Sequence, residues 1–516
     1  MIHPRRVSAL LVAALLITAW PGSVASSATA LPLSGLIREL LSSNPLAPVD
    51  VIVTYHGLPG LLERAKILAL GGQILRELKL INGLAVRLPA GAVLLLAAVP
   101  GVVWITVDAP VRVTTDLARA SGESSGGGAG LSYDGAGVTV AVIDSGIAAH
   151  PDLQGRLFAS VTLVGGSGSG DAWGHGTHVA GIIAGSGARS GGRYRGAATG
   201  ARLVSVRVLD SAGAGKTSDV IAGIQWVLDN RARYGIRVVN LSLGHPVYEP
   251  AGFDPLVRAV DAAWAAGLVV VCSAGNRGRD GYFTISSPGN SSRALTVGSL
   301  TDWNTPARED DRVSSYSSRG PTRFDHLLKP DLIARGNRVV SLRVAGSTLD
   351  AEHPEWRVAA EYFELSGTSM ATPLVAAAAA CMLQKDPSLE PATIKARLMR
   401  GASPVPGHPY ERGAGTLNAA AALLETARTS SAPSPSVLRE PIDGLLGVQD
   451  TAVLWGGPAF STTALWSDTA VGPLTALWSD TALWSDTALW SDTALWSDTA
   501  LWSDTALWSD STPVGD

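Results

Sequence analysis

Val138-Thr139-Val140-Ala141-Val142-Ile143-Asp144-Ser145-Gly146 is the stretch on which the fold turns. Its first six residues carry no charge and five of them are β-branched. A strand with one wet face alternates apolar and polar side chains, whereas one covered on both faces reads as a near-continuous apolar run. This is the second kind, and Asp144-Ser145-Gly146 then ends it with a carboxylate and a turn. Runs of the same character recur at 203–208, 238–243 and 268–273, with helical spacing between them, as at 218–234 and 255–266. Buried strands alternating with helices build a parallel sheet with helices on both faces. Residues 132–428 are therefore expected to form a three-layer α/β/α domain of the α/β class.

Upstream, residues 50–110 predict a small βαββαβ module, with Asn82-Gly83 as a two-residue hairpin turn between its second and third strands. Ser121-Gly122-Glu123-Ser124-Ser125-Gly126-Gly127-Gly128 has nothing to bury and predicts an exposed linker over 119–131. The first 30 residues read as an export signal. Arg5 and Arg6 precede an apolar run from Val7 to Trp20, and Ala28-Thr29-Ala30 supplies the small-residue cleavage site. The run is too short for the roughly 20 residues of a spanning helix.

The chain has 516 residues, a formal net charge of −4 and only two cysteines, Cys272 and Cys381. These figures exclude a disulfide framework, a Cys-rich zinc module and a basic field for nucleic acid. Both cysteines fall in apolar contexts and are expected as buried thiols. From Glu440 onward there are eleven acids and no Lys or Arg. A Ser/Pro-rich linker is expected over 429–474. Thr-Ala-Leu-Trp-Ser-Asp then repeats six times over 475–510, before a short end at 511–516. Six residues net 240° on a helix, which scatters Trp around the axis, while on a strand every Trp falls on one face. Two readings stay open: a small stacked β array, or an acidic low-complexity tail.

Four segments of the central domain bear chemistry. They are Val142-Ile143-Asp144-Ser145-Gly146, Gly174-His175-Gly176-Thr177-His178, Cys272-Ser273-Ala274-Gly275-Asn276 and Ser366-Gly367-Thr368-Ser369-Met370-Ala371-Thr372-Pro373. A serine hydroxyl needs a neighbouring base to become a nucleophile, and imidazole, titrating near neutrality, can take and return the proton. A carboxylate on its other nitrogen fixes the tautomer. A free backbone N–H at a helix start and a side-chain amide can hold an oxyanion. Each segment alone is an ordinary turn or cap. Their joint occurrence at strand and helix ends of one parallel α/β domain, where ligands gather, is what points to acyl transfer.

Together with Ser242-Leu243-Gly244 and Lys329-Pro330-Asp331-Leu332-Ile333-Ala334, these segments resemble the motifs of the subtilisin-like serine proteases, the subtilase family, in the order Asp, His, Ser. The resemblance implies a secreted serine endopeptidase that hydrolyses extended polypeptides through an acyl-enzyme and is made as a self-processing zymogen. Asp144 would orient the base, His175 act as general base and acid, and Ser369 serve as nucleophile. Asn276 and the Ser369 backbone N–H would form the oxyanion hole. Substrate would pair as an added strand beside Ser242, Leu243 and Gly244 and pass Ser273, Ala274 and Gly275. His178 is read as structural. Residues 31–118 would be the propeptide, a folding aid and intramolecular inhibitor, released by a cut between about residues 110 and 131.

The chain departs from the pattern in two places. Arg335 stands where many relatives have proline. The loop 185–195 offers Ser, Gly and Arg but no carboxylate, whereas calcium takes oxygen ligands that include acids. That calcium site is expected to be absent, a calcium elsewhere stays open, and the chemistry needs no metal or other cofactor. Two other classes compete with this reading. His-Glu-x-x-His is missing, which speaks against a metalloprotease. The Trp-rich tail, with 8 of the 15 Trp from Trp455 onward, allows a surface-binding protein with a degenerate protease scaffold, or wall or surface contact beside activity.

Overall fold

The computed structural model describes residues 31–116, 132–165, 170–303, 305, 308–439, 446–448, 451 and 455. The export signal, the 119–131 linker and the hexapeptide repeats lie outside the described residues.

Strands β1 (Pro48–Tyr55), β2 (Gln73–Leu78), β3 (Gly83–Pro89) and β4 (Val102–Val107) make an antiparallel sheet in the order β2-β3-β1-β4. The helices Leu61–Ala69 and Ala90–Ala97 complete the expected βαββαβ order, and a further helix, Gly35–Ser43, precedes it. The two-residue hairpin expected at Asn82-Gly83 is instead a 3-10 turn, Lys79–Ile81, closed by Asn82 in the left-handed region (φ 52°). The strand period sorts the sheet's two faces. Val51, Val53 and Tyr55 pack with Ile67, Val93 and Leu96 beneath the module's own helices. Ile52, Ala85, Leu78 and Ile81 turn the other way and join Val220, Ile221, Ile224 and Leu256 of the main domain. Fully burying such an aliphatic side chain contributes about 1.5–3 kcal/mol, so the second face is an interface rather than a wet surface.

The chain then runs through β5 (Pro110–Val113) into the main domain: β6 (Thr139–Asp144), β7 (Leu157–Thr162), β8 (Arg202–Arg207), β9 (Ala214–Lys216), β10 (Ile236–Leu241), β11 (Leu243–Gly244), β12 (Val269–Ser273), β13 (Leu295–Thr301), β14 (Arg312–Val313) and β15 (Leu332–Arg335). The large sheet is ordered β7-β8-β6-β10-β12-β13, and β13 also pairs β15 in parallel and β14 antiparallel. Helices Thr217–Tyr234 and Pro255–Ala265 cover one face, His175–Ala184 and Thr368–Lys385 the other. This is the three-layer arrangement expected. The apolar run 238–243 is split: β10 ends at Leu241, and β11 starts a separate edge after Ser242.

Residues 429–437, expected to begin a linker, lie against the main domain. Ser434 Oγ donates to Asp331 (2.7 Å), Lys395 Nζ donates to Ser434 Oγ (2.9 Å), and Trp455 is buried with its Nε1–H on the Pro433 carbonyl (2.7 Å). Ser434 thereby joins a buried charge cluster, Lys329–Asp331–Lys395. Both cysteines are free and buried, and burial pushes each thiol up to about 12. Arg335 ends β15 and its guanidinium pairs with Asp302.

The module is tied to the main domain by polar contacts as well. Asp108 caps the Thr217–Tyr234 helix through the Ser218 N–H (2.9 Å) and hydroxyl (2.7 Å), and Arg76 pairs with Asp219 (2.8 Å). Trp104 stacks on Phe253 (4.5 Å between centroids) and its Nε1–H donates to the buried Glu249 (2.7 Å). Burial, with the Asp254 carboxylate beside it, pushes the Glu249 carboxyl from its ordinary 4.5 up to about 8. A carboxyl with a raised folded pKa holds a proton that it gives up once exposed. The uncut chain is therefore expected to lose stability as pH rises from about 4.5 to about 8 and to level off above that. Thermal unfolding of the Ser369→Ala chain across that range checks this, with Glu249→Gln flattening the profile; an unchanged slope in Glu249→Gln would assign the effect elsewhere.

Candidate active site

Four side chains gather at the carboxyl edge of the sheet. Asp144 closes β6, and the buried helix His175–Ala184 begins opposite it. His175 Nδ1 donates to Asp144 Oδ1 at 2.8 Å, with both side chains fully buried, which leaves Nε2 as the free base nitrogen. This approach depends on Gly176, where a Cβ would lie 2.1 Å from the Gly146 carbonyl oxygen. The helix start is held by a residue that sequence reading missed, Asp171. It accepts from Gly174 N–H (2.7 Å), Thr177 N–H (2.7 Å) and Thr177 Oγ1 (2.8 Å), and burial pushes its carboxyl upward. His178 lies fully buried, Nε2 3.0 Å from the Phe363 carbonyl, and burial, with His175 near, lowers it to about 3. It stays neutral and structural.

Ser369 is the second residue of the helix Thr368–Lys385, which runs through the core under the sheet. Pro373 has no N–H for the carbonyl four residues back. That carbonyl, of Ser369, takes the Ser242 hydroxyl instead (3.0 Å). Asn276 follows β12 and Gly275. Its Oδ1 accepts from Thr368 N–H (3.0 Å) and Thr368 Oγ1 (2.9 Å), so Nδ2 must point away from them, and Nδ2 is buried without a hydrogen-bond partner.

The cleft between these groups holds the chain's own residues 110–116. Strand β5 is sandwiched between two edges, Val113 and Arg112 opposite Leu243 and Gly244 of β11, and Pro110, Val111 and Arg112 opposite β9. Thr114 N–H faces the Ser242 carbonyl (3.3 Å), and the Thr114 carbonyl accepts the Ser369 backbone N–H (3.2 Å). Thr114 Oγ1 donates to Ser273 Oγ (2.8 Å). Asp116 N–H donates to the Ser366 carbonyl (2.7 Å). Gly367, at φ 151°, makes room for this strand: a Cβ there would lie 2.4 Å from the Thr114 oxygen and 3.0 Å from Asn276 Nδ2. The donor and the carbonyl thus crowd one point.

Of the residues singled out in the sequence, Asp144 and His175 are bonded, while Ser369, Asn276, Ser242, Leu243, Gly244 and Ser273 surround residues 112–114. Ala274 and Gly275 bond within the domain, to Val297, Ser286, Ser318 and Thr368. His175 Nε2 is buried with no hydrogen-bond partner, and the Ser369 hydroxyl donates to the Ser242 carbonyl (2.9 Å) and lies 2.7 Å from Thr114 Oγ1. No hydrogen bond joins the Ser369 hydroxyl to His175 Nε2 in this state, a looseness common before the reacting complex tightens. The second edge, β9, had no sequence signal beyond small residues.

Residues 135–424 match the model of the subtilase family. The chain belongs to the subtilase family. It is a subtilisin-like serine endopeptidase, 44% identical over 297 residues to "Serine protease AprX" of Bacillus subtilis, covering 56% of this chain and 67% of that one. It is 34% identical over 363 residues to Subtilisin E of Bacillus subtilis, covering 68% of this chain and 83% of that one. In fold it resembles fervidolysin of Fervidobacterium pennivorans, described as a keratinolytic enzyme related to subtilisin. The TM-score is 0.61 at 23% identity over 81% of this chain and 65% of that one. This subtilase shows, among the described residues, no helix long and apolar enough to cross a membrane.

Proposed function

We propose that this subtilase is a secreted precursor that cuts itself between Thr114 and Thr115 and then hydrolyses extended polypeptides by acyl transfer through Ser369. One observation carries the reading: the Thr114 carbonyl oxygen accepts the Ser369 backbone N–H near the unpartnered Asn276 Nδ2, while the preceding residues are strand-paired to β11 and β9. Substrates of this class enter as an added strand.

In this reading His175 Nε2 takes the Ser369 hydroxyl proton as Oγ bonds to the Thr114 carbonyl carbon. The carbonyl oxygen gains the negative charge, faced by the Ser369 N–H and Asn276 Nδ2. Asp144 holds the imidazolium. His175 then gives its proton to the Thr115 nitrogen as the Thr114–Thr115 bond breaks, and water, deprotonated by the same ring, frees the acyl group. Residues up to Thr114 remain paired to both edges after the cut, which is how the N-terminal module would act as inhibitor. Secretion rests on the sequence of residues 1–30. Mass spectrometry of the self-processed protein is expected to find one new end at Thr114 and one at Thr115; a cut elsewhere in 110–131 would overturn the assigned register.

The loop 185–195 is read as working without calcium. Asp152, the carboxylate beside it, is taken by chain donors, Tyr362 Oη–H (2.5 Å) and Arg189 N–H (3.0 Å). A chelator is expected to leave the melting temperature within about 2 °C, on the order of 1 kcal/mol for a chain of this size; a larger drop that calcium restores, and that is lost in Asp152→Asn, would refute it.

A further inference from the structure

We propose that Arg279 is a specificity-determining residue on the leaving side of the cleft, selecting an acidic side chain two residues past the scissile bond. The inference rests on the Thr114–Thr115 register, which makes Asp116 that second residue.

The backbone bond from Asp116 N–H to the Ser366 carbonyl, an antiparallel bridge, fixes the main chain at this position. The Asp116 side chain, 10% exposed, meets the loop after Asn276, where Arg279 Nη2 donates to Oδ2 (2.9 Å) and Nη1 to Oδ1 (3.3 Å). The two parallel donors of a guanidinium match the two oxygens of a carboxylate, a geometry that neither an amide nor an ammonium reproduces. Arg279 is also held from behind. Its guanidinium carbon lies 5.8 Å from the ring centre of Tyr316, within cation–π range. Tyr316 is buried and donates its hydroxyl to the Gly336 carbonyl (3.0 Å), while Gly278 N–H donates to the Tyr316 carbonyl (2.8 Å). The neighbouring acid on this loop, Asp280, is taken by Arg277 (2.9 Å) and so does not compete for Arg279. A planar cation backed by an aromatic ring thus faces a position that every extended substrate must fill. Acid gains two charge-assisted bonds there, amide loses the charge, and lysine meets a like charge.

The test uses the full-length self-processed protein and fluorogenic peptides copying residues 109–118, with position 116 as Asp, Asn or Lys. Cleavage at the Thr-Thr bond is expected, with kcat/KM higher for Asp than for Asn by about two- to five-fold, the scale of a partly exposed pair. It is expected to exceed Lys by about ten-fold, with the ratio shrinking as ionic strength rises. Arg279→Glu should invert the Asp:Lys order, and Arg279→Met should bring the ratio near one. An Asp:Lys ratio near one in the parent at low salt, or an unchanged ratio in both variants, overturns the proposal. Cleavage of the peptides at another bond overturns the register together with the proposal. No cleavage of any peptide, with Ser369 also unreactive toward a serine-directed phosphonate, overturns the functional reading beneath it.

Discussion

Replacement of Ser369 by alanine is expected to leave the N-terminal module joined to the catalytic domain and to abolish peptide hydrolysis. Ser369 lies in the first turn of a buried helix, where alanine is the best helix former, so the change removes one oxygen without opening the fold. The lost bonds are local. The Ser242 carbonyl keeps Thr114 N–H, and the Ser369 N–H keeps the Thr114 carbonyl, so the cleft stays filled. What disappears is the oxygen proposed to bond the Thr114 carbon. In subtilisin, loss of the nucleophile lowers kcat by about 10⁶, and a fall of that order is expected for this chain. Intact mass reads the outcome directly: the Ser369→Ala chain should retain the Thr114–Thr115 bond while the parent splits. Processing of purified Ser369→Ala protein, with no other protease present, would sink the assignment.

The parts of this design that show in the sequence are those whose environment is uniform. Strands covered on both faces must be apolar throughout, so 138–143 and 268–273 announce themselves, as do the helices between them. Groups fixed by local chain geometry are legible too: Asp144 at a strand end, His175 and Ser369 at helix starts. Contacts that depend on distant pairing are not. Residues 110–113 carry no mark of lying between β9 and β11, more than 100 residues away, because backbone pairing leaves no trace in side-chain type. Asp171 looks like any turn acid until the Gly174 and Thr177 amides converge on it. The run 238–243 stays apolar although the strand breaks, since Ser242 must turn its carbonyl to Thr114 while Leu243 remains buried. Residues 429–437 lack any apolar period and so read as a linker, yet Ser434 is needed by Asp331 and Lys395, a demand visible only once those charges are buried together. Arg279, exposed and polar, reads as surface until residue 116 is laid in the cleft beside it.

Asn276→Ala is expected to lower kcat by about 10²–10³ with little change in KM, the magnitude being that of the corresponding loss in subtilisin. The orientation of the Asn276 amide decides its role. Thr368 N–H and Oγ1 occupy Oδ1, so the amide cannot flip without leaving two donors against a nitrogen that accepts nothing. Nδ2 is therefore committed to the space beside the Thr114 oxygen, and it is buried there with no hydrogen-bond partner. An unmet donor is poorly used by a neutral carbonyl and well used by an oxyanion, so its removal should penalise the transition state more than the bound substrate. Asn276→Asp should be at least as damaging, because it replaces the donor with an acceptor where negative charge develops, although its side chain is nearly isosteric. Steady-state kinetics on one peptide separate the alternatives. A fall confined to kcat supports the oxyanion role. A rise in KM at constant kcat would instead make Asn276 a ground-state contact, leaving the Ser369 backbone N–H to hold the charge alone.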